Sequence, residues 1–219
     1  MRISKRIVLA LGVAMVLCIS VFTAFYLVAQ SNANPIRVAC VGDSITLGTA
    51  YPEQLAGALG SNYSVRNFGV GKATVLFNSD KPYTNQSAFP EAKKFLPNIV
   101  VIMLGTNDAY PIYEQYTANF IGDYTMLIGE FQALSSKPKI LIVLPPPIFN
   151  DSLGPSNTNL KNDIIPRIEQ VGQSLDLQTV DIYSALINHP EFFPDGVHPN
   201  NEGSQLIALK IYDAIKSYS

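Results

Sequence analysis

The sequence predicts an α/β fold: a three-layer α/β/α sandwich built on a parallel sheet of about five strands. Short, β-rich apolar runs recur along the chain, and longer segments with helical spacing of apolar residues lie between them. Parallel strands need long crossover connections, which such helices supply. The chain has 219 residues, of which 47% are hydrophobic and 15% charged. This size and composition favour one well-buried domain.

The elements follow one another in a regular order. The predicted strands are Ile36–Val41, Ser64–Phe68, Ile99–Leu104, Ile140–Leu144 and Gln178–Ile182. The clearest helical patterns cover Tyr113–Leu134, Leu160–Leu175 and Glu202–Tyr218. In an open parallel sheet the ligand lies outside the carboxyl ends of the strands, so the loops after the strands should carry the functional residues.

The first 33 residues differ from the rest. Three cations, Arg2, Lys5 and Arg6, precede an uncharged apolar run over residues 7–29, which is about long enough to cross a bilayer. The run therefore predicts a transmembrane signal anchor. Because the positive flank stays on the cytoplasmic side, the residues after Gln30 would lie across the membrane. Residues 1–33 would then comprise a cytoplasmic basic tip, the anchor and a linker.

Residues 34–219 would form the folded domain, which lies outside the cytoplasm if the anchor is real. One alternative is a signal peptide cleaved near Ala33, which would give a secreted domain. Another is that residues 7–29 form a buried helix of the globular core.

Composition argues against several partners. Without Arg2, Lys5 and Arg6, 12 of the 15 Lys and Arg remain against 17 Asp and Glu, so the domain carries a net charge of −5 and nucleic-acid binding is not expected. Cys18 lies in the apolar run and Cys40 in a predicted strand, so the domain has one thiol and no internal disulfide. No nucleotide-binding motif occurs, and we expect no cofactor.

Ser44 follows the first strand and a Gly-Asp turn. A serine there either caps the next helix or acts as a nucleophile. A nucleophilic serine needs a base, held by a third group, to take its proton.

One loop of the sequence offers both the base and its orienting group, since Asp195 precedes His198 by three residues on a glycine-containing turn. The carboxylate would fix the imidazole tautomer and stabilise the imidazolium. The same pair could instead be a surface turn or a metal pair, but no further His or Cys cluster completes a metal site. His189 has no comparable partner and is expected to be an exposed loop residue.

Attack on an acyl carbon also needs donors for the oxyanion. The side-chain amide of Asn107, after the third strand, and a backbone N–H of the loop 69–72 fit this need, with the Ser44 amide as a third donor. Each has a structural alternative, because Asn107 can stabilise a turn and the glycines can relieve strain.

Together these motifs resemble the SGNH (GDSL-like) hydrolase family. The matching blocks are Gly42-Asp43-Ser44, Asn67-Phe68-Gly69, Gly105-Thr106-Asn107-Asp108 and Asp195-Gly196-Val197-His198-Pro199. The resemblance implies a flavodoxin-like sandwich and a Ser44–His198–Asp195 triad. It also implies an oxyanion hole formed by Ser44, a loop glycine and Asn107.

One position departs from the family pattern, because Lys72 stands where family members place the donor glycine. Either the loop shifts by one residue so that Gly71 donates, or Lys72 donates through its backbone, which requires glycine only if φ is positive. The Lys72 side chain either places a cation near the substrate or is solvated.

The finer resemblance is to carbohydrate esterases of this family, including those related to sialate O-acetylesterases. It lies in the segments 67–74, 81–83 and 104–108 and implies hydrolysis of O-acetyl esters on sugars outside the cytoplasm. The loops 78–90 and 145–159 are expected to wall the acyl and sugar sites.

Other activities are possible on one scaffold. The domain could be a lysophospholipase or thioesterase, an acyltransferase, or a glycan-binding module without activity. The lipid alternative needs an apolar channel, for which the candidate lining residues are Phe77, Tyr83, Phe89, Tyr110 and Phe149.

Overall fold

A single parallel sheet forms the centre of the domain. The structure, a computed structural model, describes residues 18–20 and 34–217. In the second range the strands are β1 (Ile36–Gly42), β2 (Tyr63–Gly69), β3 (Ile99–Met103), β4 (Lys139–Leu144) and β5 (Gln178–Asp181). Their spatial order is β2-β1-β3-β4-β5, and every neighbouring pair is parallel. The predicted five-strand parallel sheet is confirmed.

Helices cover both faces of the sheet. They are α1 (Ser44–Gly48), α2 (Tyr51–Leu59), α3 (Ala88–Lys94), α4 (Phe120–Gln132), α5 (Ile165–Ser174), α6 (Tyr183–Leu186) and α7 (Asn201–Lys216). Side chains alternate across each strand, so Ala39 and Val41 of β1 pack with α3, α4 and α5, whereas Val38 and Cys40 pack with α2, α6 and α7. The predicted three-layer sandwich is therefore present.

Two predicted helices start differently from the expectation. Pro111–Asn119 is a 3₁₀ helix, and α4 begins only at Phe120. Thr117 is the one buried residue of the 3₁₀ segment, so no apolar stripe holds it as a longer α-helix. In the other helix a π-helical turn, Leu160–Ile164, precedes α5. Pro166 lies at the start of α5, where its missing N–H costs least.

The transmembrane anchor predicted over residues 7–29 lies outside the described residues, except for the helical residues 18–20. No helix in the described parts of the chain is long and apolar enough to span a membrane. The anchor stays a prediction.

Candidate active site

Ser44 lies where β1 turns into α1. Asp43 is the N-cap of α1, since its Oδ1 accepts a hydrogen bond of 2.9 Å from the Ile45 N–H, so the serine is not needed as the cap. The turn requires glycine at position 42, because a Cβ there would lie 2.0 Å from Thr46 Oγ1. Ser44, the first residue of the helix, is half-buried and keeps its hydroxyl available.

His198 and Asp195 lie on the loop between α6 and α7. Asp195 Oδ1 accepts hydrogen bonds from the N–H groups of Val197 (2.9 Å) and His198 (2.7 Å). Asp195 Oδ2 lies 2.7 Å from His198 Nδ1, and His198 Nε2 lies 2.8 Å from Ser44 Oγ. The structure thus brings the three predicted residues, from two distant parts of the sequence, into one hydrogen-bonded chain.

The imidazole and its carboxylate partner are both partly exposed to solvent. The side chains of His198 and Asp195 are 36% and 45% exposed. Partial burial acts to raise the pKa of Asp195, but the hydrogen bonds from His198 and Val197 outweigh it and lower this pKa. Asp195 is therefore an ionised acceptor beside the imidazole at neutral pH.

Asn107 begins the 3₁₀ turn after β3 and is buried. Its Nδ2 donates to Ala73 O (3.0 Å) and to Asp43 Oδ2 (3.3 Å). One amide group therefore joins the loops that follow β1, β2 and β3. The prediction that Asn107 lies near Ser44 agrees with this arrangement, because Asp43 is the residue before the serine.

Two buried carboxyl groups, those of Asp43 and Asp108, support these loops, and neither was predicted to have a role. Burial raises the pKa of Asp43 to about 6 and that of Asp108 to about 7, although backbone hydrogen bonds act in the opposite direction. Asp108 accepts hydrogen bonds from the N–H groups of Val75 and Leu76. Both aspartates stand next to a predicted site residue, which is the signal that sequence reasoning could have used.

The loop after β2 makes a tight turn, closed by a 3.0 Å hydrogen bond from the Ala73 N–H to Val70 O. Lys72, its third residue, has φ of 65°, whereas Gly71 is not in the positive-φ region. A Cβ at Gly71 would meet only Leu47 Cδ2, at 3.8 Å. The conformation that favours glycine thus falls on Lys72, which disfavours a one-residue shift of the loop.

A cavity of about 300 Å³ opens beside this turn. It is lined by Lys72, Asp80, Lys81, Asn107, Tyr110, Ile112 and Tyr113. The predicted loop 78–90 thus contributes to its wall. The second predicted loop, 145–159, contacts the base-bearing turn, because the Phe149 N–H donates to Gly196 O at 2.7 Å.

The aromatic residues proposed for a lipid channel do not line one cavity. Tyr83 and Phe89 belong to the buried core, and Phe149 packs on Phe193. Phe77 and Phe89 border a different cavity of about 540 Å³, beside α4, whereas Tyr110 borders the cavity at Asn107. The proposed channel is therefore wrong for these five residues, because their strands and loops direct them to different parts of the domain.

Within residues 18–20 and 34–217, no group of three or more His, Cys, Asp and Glu side chains could hold a metal ion. His189 pairs with Glu191 on the surface, at 2.9 Å, and stacks on Phe192.

A serine, an imidazole and a carboxylate joined by hydrogen bonds in this order form the arrangement that many serine hydrolases of unrelated folds share. The model of the GDSL-like Lipase/Acylhydrolase family matches residues 40–206. The chain belongs to this family, which confirms the resemblance drawn from the four motif blocks.

Individual relatives agree with this membership. The chain is 36% identical to an acetylxylan esterase from Xylanibacter ruminicola over 84% of its own length, and it spans 44% of that protein. Among solved structures, a lipase/acylhydrolase from Enterococcus faecalis matches with a TM-score of 0.66 and 23% identity, covering 83% of this chain and 96% of the other. A carbohydrate acetylesterase from Sinorhizobium meliloti matches with a TM-score of 0.63 and 16% identity, covering 84% and 99%.

Proposed function

We propose that this protein is a serine esterase that hydrolyses O-acetyl esters on carbohydrates through Ser44, His198 and Asp195. The observation that carries the proposal is the unbroken hydrogen-bonded chain from Ser44 Oγ through the imidazole to Asp195, with contacts of 2.8 and 2.7 Å. These distances are within the range that proton transfer from a nucleophile to its base requires.

In the first half of the reaction Ser44 Oγ attacks the acyl carbon and its proton passes to His198 Nε2. Asp195 stabilises the imidazolium through the Nδ1 proton. The tetrahedral intermediate then collapses, the bond from the acyl carbon to the sugar oxygen breaks, and that oxygen takes the proton from Nε2. An acyl-serine remains on the enzyme, and the deacetylated sugar departs.

In the second half a water molecule gives its proton to His198 Nε2 and attacks the acyl-serine. Collapse of the second intermediate breaks the bond to Ser44 Oγ, which recovers the proton from the imidazole, and acetic acid leaves and loses its remaining proton to solvent. Atoms and charge balance without a cofactor.

The negative charge on the acyl oxygen needs donors during both steps. We assign the backbone N–H groups of Ser44 and Lys72 and the Asn107 amide to this role. Lys72 is preferred to Gly71 because it lines the cavity with Asn107 and has the left-handed conformation of the turn. In the free protein the two Nδ2 protons of Asn107 go to Ala73 O (3.0 Å) and Asp43 Oδ2 (3.3 Å), so the longer bond to Asp43 opens when the amide donates to the oxyanion, while the bond to Ala73 keeps the side chain in place.

The acetyl and carbohydrate parts of the proposal have two supports. A cavity of about 300 Å³, lined by polar and charged as well as apolar side chains, has the size and the polar groups for a single sugar residue. The similarity to an acetylxylan esterase at 36% identity favours the same class of substrate. We further propose that residues 7–29 anchor the protein and that the catalytic domain lies outside the cytoplasm, where acetylated glycans occur.

The test compares the full-length protein in detergent with its Ser44→Ala variant on p-nitrophenyl acetate. Ser44→Ala should lower kcat/KM by at least about 10³-fold, because the nucleophile is lost. Ser184→Ala, which changes an exposed serine of α6, is the matched control and should leave the rate unchanged. Equal activity in wild type and Ser44→Ala would refute the assignment.

A second arm addresses the acyl group and the sugar. Acetyl esters should be cleaved faster than octanoyl esters, and acetylated xylo-oligosaccharides should release acetate. A reversed chain-length order would instead support the lysophospholipase or thioesterase alternative.

A further inference from the structure

The cavity beside Asn107 has an unusual balance of charge. Two lysines, Lys72 and Lys81, line it with a single acid, Asp80. No ion pair within 4.0 Å joins any of these three residues to another part of the described chain. The domain as a whole is acidic, so this concave surface with a net charge of about +1 stands out against its surroundings.

Lys72 occupies its place at an energetic cost. Its φ of 65° lies in the left-handed region, where a residue with a side chain is strained and glycine is not. The turn needs this conformation at its third position, yet the chain carries a lysine there. Leu96, Lys137 and Asp176 share this conformation without lining the cavity, so the observation that matters at Lys72 is that its side chain does line it.

The remaining wall of the cavity is apolar and fixed. Tyr110 donates its hydroxyl to Leu153 O at 2.7 Å, and Tyr113 donates its hydroxyl to Asp80 Oδ2 at 3.2 Å. Their ring centroids are 6.2 Å apart. Because both hydroxyls are already bonded, the rings offer the cavity mainly their apolar faces, next to the exposed side chain of Ile112.

From this arrangement we infer that the cavity is a sugar subsite selective for a carboxylate-bearing residue, a uronic acid, next to the acetylated position. The sugar packs on the Tyr110 and Tyr113 rings, and its carboxylate pairs with Lys72 and Lys81. A carboxylate carries one negative charge, which matches the net charge of the two lysines and Asp80, whereas a phosphate dianion exceeds it. The inference rests on the proposed esterase function and specifies its substrate.

The experiment uses a matched pair of substrates, mono-O-acetylated methyl glucuronoside and its uronamide, which have nearly the same shape and differ in charge. The full-length protein should show a kcat/KM about tenfold higher for the glucuronoside at 50 mM salt, since hydrogen bonds to charged groups are the stronger ones. The ratio should fall towards one at 1 M salt, because screening weakens exposed ion pairs.

Lysine variants locate the effect. Lys72→Met and Lys81→Met should each lower the glucuronoside-to-uronamide ratio about threefold, and the double variant should bring it close to one. Lys210→Met, which changes an exposed lysine of α7, is the control and should keep the wild-type ratio. Both substrates are measured with the same variant, so a general loss of activity lowers both kcat/KM values and leaves their ratio unchanged.

The outcomes separate the two proposals. If the wild type cleaves p-nitrophenyl acetate but cleaves glucuronoside and uronamide equally, the uronate subsite is refuted and the esterase stands. A preference that survives in the double variant, or that high salt does not reduce, also refutes it. If the wild type cleaves none of these esters, the proposed function itself fails.

Discussion

Replacing Asp195 with Asn tests the proposed triad, whose imidazole and carboxylate are partly exposed. The change removes the charge that stabilises the imidazolium while Oδ1 keeps its bonds from the Val197 and His198 N–H groups. The new amide would face His198 Nδ1, where Oδ2 now lies at 2.7 Å, and would favour the tautomer with its proton on Nε2. That tautomer cannot accept the proton of Ser44.

The size of the effect follows from the exposure of the pair. Two unit charges about 4 Å apart interact by about 1 kcal/mol in water and about 4 kcal/mol at an effective dielectric constant near 20. The side chains of His198 and Asp195 are 36% and 45% exposed, so screening places the loss between these limits, at about 2–3 kcal/mol. We therefore expect the lost charge alone to lower kcat/KM about 30- to 200-fold, and the unproductive tautomer to add to this loss, towards the roughly 10⁴-fold seen for a buried triad carboxylate.

The assay is kcat/KM for p-nitrophenyl acetate at pH 7.5 in wild type and Asp195→Asn. Glu191→Gln is a matched control, because it changes the same kind of group in the other His–carboxylate pair, that of His189. The control should retain wild-type activity. A loss of less than about threefold in Asp195→Asn would contradict the assignment of Asp195 as the orienting carboxylate.

Two further predictions concern stability. Burial raises the pKa of Asp43 from 3.8 to about 6, which means that the folded protein favours the protonated carboxyl. The contribution of Asp43 to the free energy of unfolding is therefore full below pH 3.8. It falls by about 3 kcal/mol as the pH rises from 3.8 through about 6. The difference in Tm between Asp43→Asn and wild type should therefore rise between pH 4 and 7. A difference that does not depend on pH would contradict the raised pKa. Asp181→Asn is the control, because it changes an exposed aspartate that accepts a hydrogen bond from the Ser184 N–H. Lys72→Gly should raise the free energy of unfolding in urea by about 0.5–1 kcal/mol, since relief of the left-handed backbone outweighs the added freedom of the unfolded chain. Lys137→Gly, at φ of 46°, should do the same away from the site, and a destabilised Lys72→Gly would argue against strain at this turn.

The inner strands β1, β3 and β4 could be predicted because each contains a short apolar run whose alternate side chains meet two different helical layers, whereas the edge strands β2 and β5 are more polar and more exposed. β3, for example, is buried at all of its positions, and its residues are β-branched except Met103. The short helices α2, α3 and α6 were not identified and α1 was expected only as a helix starting near Ser44, since segments of this length carry too few apolar positions to show a clear period. The 3₁₀ segment before α4 was predicted as part of that helix because its residues are compatible with an α-helix. Only tertiary packing decides that it forms a 3₁₀ helix.

The site was partly accessible to the same reasoning. The close spacing of Asp195 and His198 on one glycine turn predicted their contact, and the parallel sheet predicted that Ser44 and Asn107 would share one edge. The bonds from Asn107 to Ala73 O and Asp43 were not predictable, because they depend on how three loops approach one another. The same holds for the cavity at Lys72, whose wall comes from three separate segments of the chain.

The strand order explains why these loops meet. β1 lies between β2 and β3, and the strand order reverses at this point. The chain leaves β1 towards β2 on one edge and continues from β3 towards the other edge, so a crevice opens at the carboxyl ends of β1 and β3. Ser44 follows β1 and Asn107 follows β3, on opposite walls of that crevice. On the inner side Asp43 and Asn107 are buried and bonded to each other, whereas His198 and Asp195 on the outer side are open to solvent. In the proposed reaction the buried Asn107 amide holds the acyl oxygen, whereas the imidazole that protonates the departing sugar oxygen is open to solvent, so the rest of a bulky glycan can extend away from the site.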